Sequence, residues 1–141
     1  MKTLPRLILI TASSLLLGAV PMTTPATFSM NFFGVTSSAT SADGTWSSNG
    51  GISEVGSFTM SWTLSGSQLA HLNATLVGKQ GSITFGGALR RVATSPTDSE
   101  LTGPIRLTGG TGFYSGIRGI GKAALTINAG SLTGTIGGQT N

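Results

Sequence analysis

Six glycines fall between Gly109 and Gly121, on a short beat around the aromatic pair Phe113 and Tyr114. Such a run can turn sharply and let two backbones approach closely while still carrying apolar side chains. A tight corner between two strands of a curved sheet needs those properties, and a helix is weakened by them. Gly109, Gly110, Gly112, Gly116 and Gly119 are therefore expected to be structural. No reacting group accompanies them, so the segment points to a fold before it points to a function.

The rest of the chain follows the same grammar. Phe58, Met60, Trp62 and Leu64 alternate with Thr59, Ser61, Thr63 and Ser65, which gives a strand one apolar and one polar face. After Gly66-Ser67-Gln68, Leu69–Val77 repeats the pattern, with Ala70, Leu72, Ala74 and Leu76 on one side and His71, Asn73 and Thr75 on the other. The two segments predict a hairpin. Further short strands are expected at Phe28–Val35, Ser82–Phe85, Ala88–Thr94, Ile105–Leu107, Ala123–Ile127 and Leu132–Ile136, about eight in all. Thr36–Gly51, rich in Ser, Gly and Thr, and Ser95–Thr102, with Pro96, Asp98 and Glu100, read as loops, which leaves 27–51 the least regular part. Helical periodicity is almost missing. The expected fold is all-β, a small antiparallel barrel of about eight strands. A barrel is favoured over a sandwich because in-strand glycines suit a closed sheet, and closure removes exposed edges in a chain with few charges to guard them.

Residues 1–26 place Lys2 and Arg6 before a mostly apolar run from Leu7 to Val20 and end in Thr24-Pro25-Ala26, the layout of a cleaved secretory signal peptide. Thr11, Ser13 and Ser14 interrupt the run, which is shorter than the ~20 residues of a bilayer span. No stable membrane span is expected; the cut is expected after Ala26, with a site near Ala19 as the alternative. Residues 27–141 then form a single barrel domain, secreted or periplasmic. Without the two cations of the leader, six cations face four acids and the net charge is +2. The cations are neither clustered nor interleaved with aromatics, so no nucleic-acid partner is expected. The absence of cysteine removes disulfides, thiolate nucleophiles and cysteine-linked lipid anchors, and in an exported chain it points toward a bacterial source.

Gly110, Gly112 and Gly116 have the spacing of a loose dinucleotide fingerprint. Such a site needs a helix after the glycines and an acid about 20 residues later, and this chain has no Asp or Glu beyond Glu100. His71 is the only histidine, and four scattered acids do not complete a ligand set, so neither a cofactor nor a metal is expected. A hydrolytic triad would have to join His71 to Asp43 or Asp98 without a Gly-x-Ser-x-Gly elbow, and a glycosidase pair would need the fold to bring Glu54 to Asp98 or Glu100. Trp62, His71, Tyr114 and Arg118 suit ligand binding better, as polar-tipped aromatics and a cation at a pocket mouth. The plainer reading puts Trp62 in the core with Phe85 and Phe113, Tyr114 and Arg118 at its rim, and His71 on the outer surface.

The segment Leu107–Gly121, with Gly109-Gly110-Thr111-Gly112 followed by aromatic, small and glycine residues, resembles the corner shared by allene oxide cyclase-like and dirigent-like β-barrels, small exported bacterial members of unassigned role included. The similarity is strong there, diffuse from Ser57 onward, and absent from 27–51. It implies an eight-stranded antiparallel barrel with an apolar central cavity, hence a small apolar molecule bound within, and a homo-oligomer, since plant members commonly work as dimers or trimers. It does not carry over a reaction. The cyclases use an acid, a cysteine and bound water, and this chain lacks cysteine; the dirigent cavity acids do not align with Asp43, Glu54, Asp98 or Glu100. The expected function is that of a non-enzymatic binding barrel. The alternatives are a cyclase- or isomerase-type enzyme, for which His71, Glu54 and Tyr114 are the ionisable candidates, and a structural, self-assembling envelope protein.

Overall fold

Phe58, Met60 and Trp62 point inward, and Thr59, Ser61 and Thr63 outward, as the alternation dictates. The computed structural model describes residues 25–141, so the leader lies outside the described residues apart from Pro25 and Ala26. The strands are β1 (Thr27–Ser38), β2 (Ser41–Gly50), β3 (Glu54–Ser65), β4 (Leu69–Gly78), β5 (Ser82–Ala93), β6 (Ser99–Gly110), β7 (Gly119–Asn128) and β8 (Ser131–Thr140). Each pairs antiparallel with the next, and β1 pairs with β8 from Thr27↔Gln139 to Val35↔Ser131, which closes the barrel. The chain is thus the expected all-β, eight-stranded antiparallel barrel. Among the described residues no helix is long and apolar enough to cross a membrane.

The bore of an eight-stranded barrel is just wide enough for side chains to fill. Here Phe32 meets Phe58 edge-on, centroids 5.3 Å apart, and lies 6.2 Å from Phe85. Met30, Leu72, Leu76, Ile83, Leu89, Leu101 and Leu107 pack around them, fully buried. Each such side chain contributes about 1.5–3 kcal/mol by leaving water. With no disulfide available, this core and the strand ladders hold the fold.

Three expectations on strand boundaries are corrected. Thr36–Gly51, read as a loop, holds the end of β1 and all of β2. Its inward positions are Ala42, Gly44, Trp46 and Ser48, so small residues break the apolar alternation; Gly44 lies so close to the Phe33 carbonyl that a Cβ would strike it. Ser82–Phe85 and Ala88–Thr94 are one strand, β5, running through Gly86-Gly87. Finally, β6 begins at Ser99, inside the segment read as a loop, because Leu101 is an inward residue between two exposed polar ones. The pairs of β5 and β6 run to Gly86↔Arg106 and resume only at Arg90↔Thr102. Pro104, which has no N–H to give a ladder, stands in that gap.

The glycine corner joins β6 to β7 through a short 3₁₀ turn, Gly112–Tyr114. Gly112 (φ +62°) and Gly116 (φ +78°) occupy the left-handed region that favours glycine. At Gly112 a Cβ would also stand 2.5 Å from the Gln80 carbonyl oxygen. The segment folds back over the β4–β5 turn, with the Phe113 N–H donating to Gln80 O at 2.8 Å and the Thr111 N–H to Ser82 O at 2.9 Å. The corner is therefore also a cap on the barrel end where β1 starts at Thr27 and β8 ends at Thr140.

Candidate functional site: a groove on the outer face

Under that cap Tyr114 is turned into the barrel, 1 % exposed. Its hydroxyl donates to Glu54 Oε1, while Glu54 Oε2 accepts the Gln80 N–H at 2.9 Å. Burial above all, then the hydrogen bond to and the negative charge of Glu54, push the Tyr114 phenol above its ordinary pKa. Trp46 completes this end of the core and donates from Nε1 to Val77 O at 3.3 Å. Glu54 and Tyr114 are thereby engaged with each other and with the cap.

The four candidates Trp62, His71, Tyr114 and Arg118 do not meet. Trp62 is buried near the far end of the barrel, and His71, one register step away on β4, faces outward and is exposed. Tyr114 and Arg118 belong to the capped end, where Arg118 is exposed and donates from Nη1 to Ile117 O at 2.8 Å. The inward and outward assignments follow from strand parity, which places Trp62 and His71 on opposite faces of neighbouring strands. Phe113, expected in the core, is 45 % exposed on the cap. Gly109, Gly110, Gly112, Gly116 and Gly119 all lie in the corner or its flanking strand ends. Among the described residues no three His, Asp or Glu side chains are grouped to hold a metal.

A concavity that none of these residues lines lies on the outside of the barrel. It is a groove of about 780 Å³ across the outer faces of β5, β6, β7, β8 and the start of β1. Its position follows from the broken β5–β6 pairing, since Gly86, Gly87, Ala88, Pro104 and Ile105 form one wall. Gly137, outward and without a side chain, leaves the floor low where β7 meets β8, and the backbones of the register partners Gly121 and Gly138 continue it. Ile120, 59 % exposed, supplies the largest apolar surface. Arg106, Lys122 and Gln139 are the long polar side chains, and no Asp or Glu lines the groove. Ligand sites of this volume, mostly apolar with a few convergent polar groups, are typical of small-molecule binding.

Sequence reasoning missed the groove because its residues come from five strands, and its side chains that reach solvent, Arg106, Ile120, Lys122 and Gln139, sit on the outward, nominally polar face. One signal was available: three cations and no acid follow Glu100. Another concavity, of about 510 Å³, reaches from the end of β1 across β2–β5 to Thr108 on β6 and is lined by hydroxyls, among them Thr59, Thr75 and Thr84, which are register partners in that order, and by Asp43. It lacks an apolar wall comparable to that of the first. Comparison with family models, curated proteins and solved structures finds no match to this chain.

Proposed function

We propose that the protein is an exported, non-enzymatic binding barrel whose ligand lies in the outer groove, not in the bore. The carrying observation is that the groove presents apolar surface, Ile120 above all, beside a glycine floor. The bore, by contrast, is occupied by the chain's own Phe58, Phe85 and Leu72, which are buried to 2 % exposure or less. Of the ionisable groups considered for catalysis, His71 faces solvent and Glu54 and Tyr114 are bound to each other, which favours binding over chemistry.

Gly137 makes the proposal testable. A Cβ there meets nothing within 4 Å and its φ is not positive, so a side chain can be added without backbone strain. Gly137→Leu is expected to abolish binding of a neutral environment-sensitive naphthylamine dye while leaving the melting temperature and the Trp46 and Trp62 emission unchanged. Dye binding that survives in a folded Gly137→Leu protein sinks the groove reading.

A second reading, self-association, is favoured by a separate observation. Phe33 and Val55, each 68 % exposed, line one concavity on the outer side of β1–β3, and Val77, 50 % exposed, lies next to Val55 on β4. Sedimentation over a concentration series separates the two readings, since only self-association predicts a mass that grows with concentration.

A further inference from the structure

The chain has no Asp or Glu after Glu100, yet Arg106, Arg118 and Lys122 all follow it. The barrel gathers this imbalance on one flank. Arg106 on β6 is the register partner of Ile120 on β7, and Lys122 is the next outward residue of β7. The two cations are thus diagonal neighbours, with Cα atoms about 7–8 Å apart. Arg118 extends the series at the capped end, its Nη1 3.6 Å from where a Cβ on Gly109 would stand. Like charges this close repel each other, and an anion bound between them adds two attractions that outweigh the repulsion.

The remainder of the groove is elongated and mostly apolar, with Thr27, Thr108 and Gln139 as its uncharged polar residues. Arg106, Ile120, Gln139 and Thr27 are successive register partners across β6, β7, β8 and β1. Three strand spacings of about 4.8 Å make this row roughly 14 Å long. From the charged end it runs past Ile120, with the bare backbone of Gly137 and Gly138 alongside.

We infer that the groove takes a single-chain anionic amphiphile, such as a fatty-acid carboxylate, with its head at Arg106 and Lys122 and its alkyl chain over Ile120 and the glycine floor. The inference rests on the groove being a binding site, as proposed above, and adds the class of ligand. Two features of this chain serve it: cations without a competing acid, and Gly137, the outward position where a side chain would block the alkyl path.

The test is displacement of the neutral dye from the full exported protein by dodecanoate, dodecanol and acetate, all below micelle-forming concentrations. Dodecanoate is expected to bind about tenfold more tightly than dodecanol, the effect of a charge-assisted contact, and acetate not measurably. Shortening dodecanoate to decanoate is expected to weaken binding by about two- to fourfold per methylene. Arg106→Gln with Lys122→Gln is expected to bring dodecanoate down to the affinity of dodecanol and to leave dodecanol unaffected. Equal binding of dodecanoate and dodecanol by the parent overturns the anionic class while leaving the groove reading intact. If neither competes with the dye and Gly137→Leu has no effect, the groove reading itself fails. Binding to vesicles of an anionic phospholipid without binding of monomeric dodecanoate also overturns the inference, in favour of a membrane surface.

Discussion

Tyr114→Phe isolates the hydrogen bond that pins the cap to the barrel, because the ring volume is kept and only the donor to Glu54 is lost. A hydrogen bond to a charged acceptor contributes about 1.5–3 kcal/mol. Glu54 is half-buried and keeps the Gln80 N–H at 2.9 Å, so the lower end of that range applies, about 1.5 kcal/mol. This corresponds to roughly a tenfold change in the folding equilibrium and, for a domain of this length, a drop of about 6 °C in melting temperature. Urea unfolding followed by tryptophan emission and far-ultraviolet circular dichroism measures it, with an unchanged slope expected. Tyr114→Ala, which also empties the ring's site, is expected to cost about 3–5 kcal/mol. The same contact has a pH signature. Tyr114 is the only tyrosine, so phenolate absorbance reports it alone. Its folded pKa is raised, by burial first and Glu54 second, so its contribution is fully present below the ordinary tyrosine value of about 10 and is lost as pH rises above it. Phenolate is expected to appear only as the barrel unfolds, and Tyr114→Phe is expected to flatten the alkaline fall in stability. A Tyr114→Phe protein within about 0.5 kcal/mol of the parent, or a phenol that titrates near 10 in the folded state, refutes the cap as described.

Gly112→Val is expected to damage folding more than Gly116→Val: both force a β-branched residue into positive φ, but only at Gly112 does a Cβ also press on the Gln80 carbonyl. Melting curves rank them; equal stability to the parent in both would mean the corner is misread. Intact-mass measurement of exported material is expected to place the first residue at Thr27, and Met1 still present on membrane-bound protein would overturn the leader. A protein trimmed to Thr27 lacks the Ala26 contacts with Thr140, N–H to Oγ1 at 3.0 Å and carbonyl from N–H at 2.8 Å. It is expected to be less stable than one that retains Ala26, by about 1–2 kcal/mol, and equal melting temperatures would count against these contacts.

The parts of the fold that were legible are those where burial and hydropathy coincide. Phe58, Met60 and Trp62 on β3 and Ala70, Leu72, Ala74 and Leu76 on β4 alternate because one face is core. On β2 the inward face carries Gly44 and Ser48, so the sequence there looks like a loop even though β1 and β3 pair with it along its length. The Gly86-Gly87 pair in β5 and Pro104 in β6 look like strand breaks for a related reason, being residues chosen for close backbone approach or a ladder gap and not for packing. The groove was hidden by the rule that makes strands readable, since the side chains that give it its character, Arg106, Ile120, Lys122 and Gln139, are outward ones whose identity the core does not dictate. Trp62, His71, Tyr114 and Arg118 share a side-chain chemistry suited to ligands but no common place in the fold, because β3, β4 and the cap hold them apart.

Pairing of the first strand with the last has a kinetic side. A strand pair this distant in sequence is slow to form, because the whole loop must close before the contact is rewarded. Until β8 is available, the sheet ends at β1 and β7, two bare rows of N–H and C=O groups, with Phe33 and Val35 on the outer face of one and Ile120 on the other. Such an intermediate can accept a strand from another copy as readily as its own. Removing the final ten-residue strand, Ser131–Thr140, would make that state permanent and turn a monomeric closure into an intermolecular one.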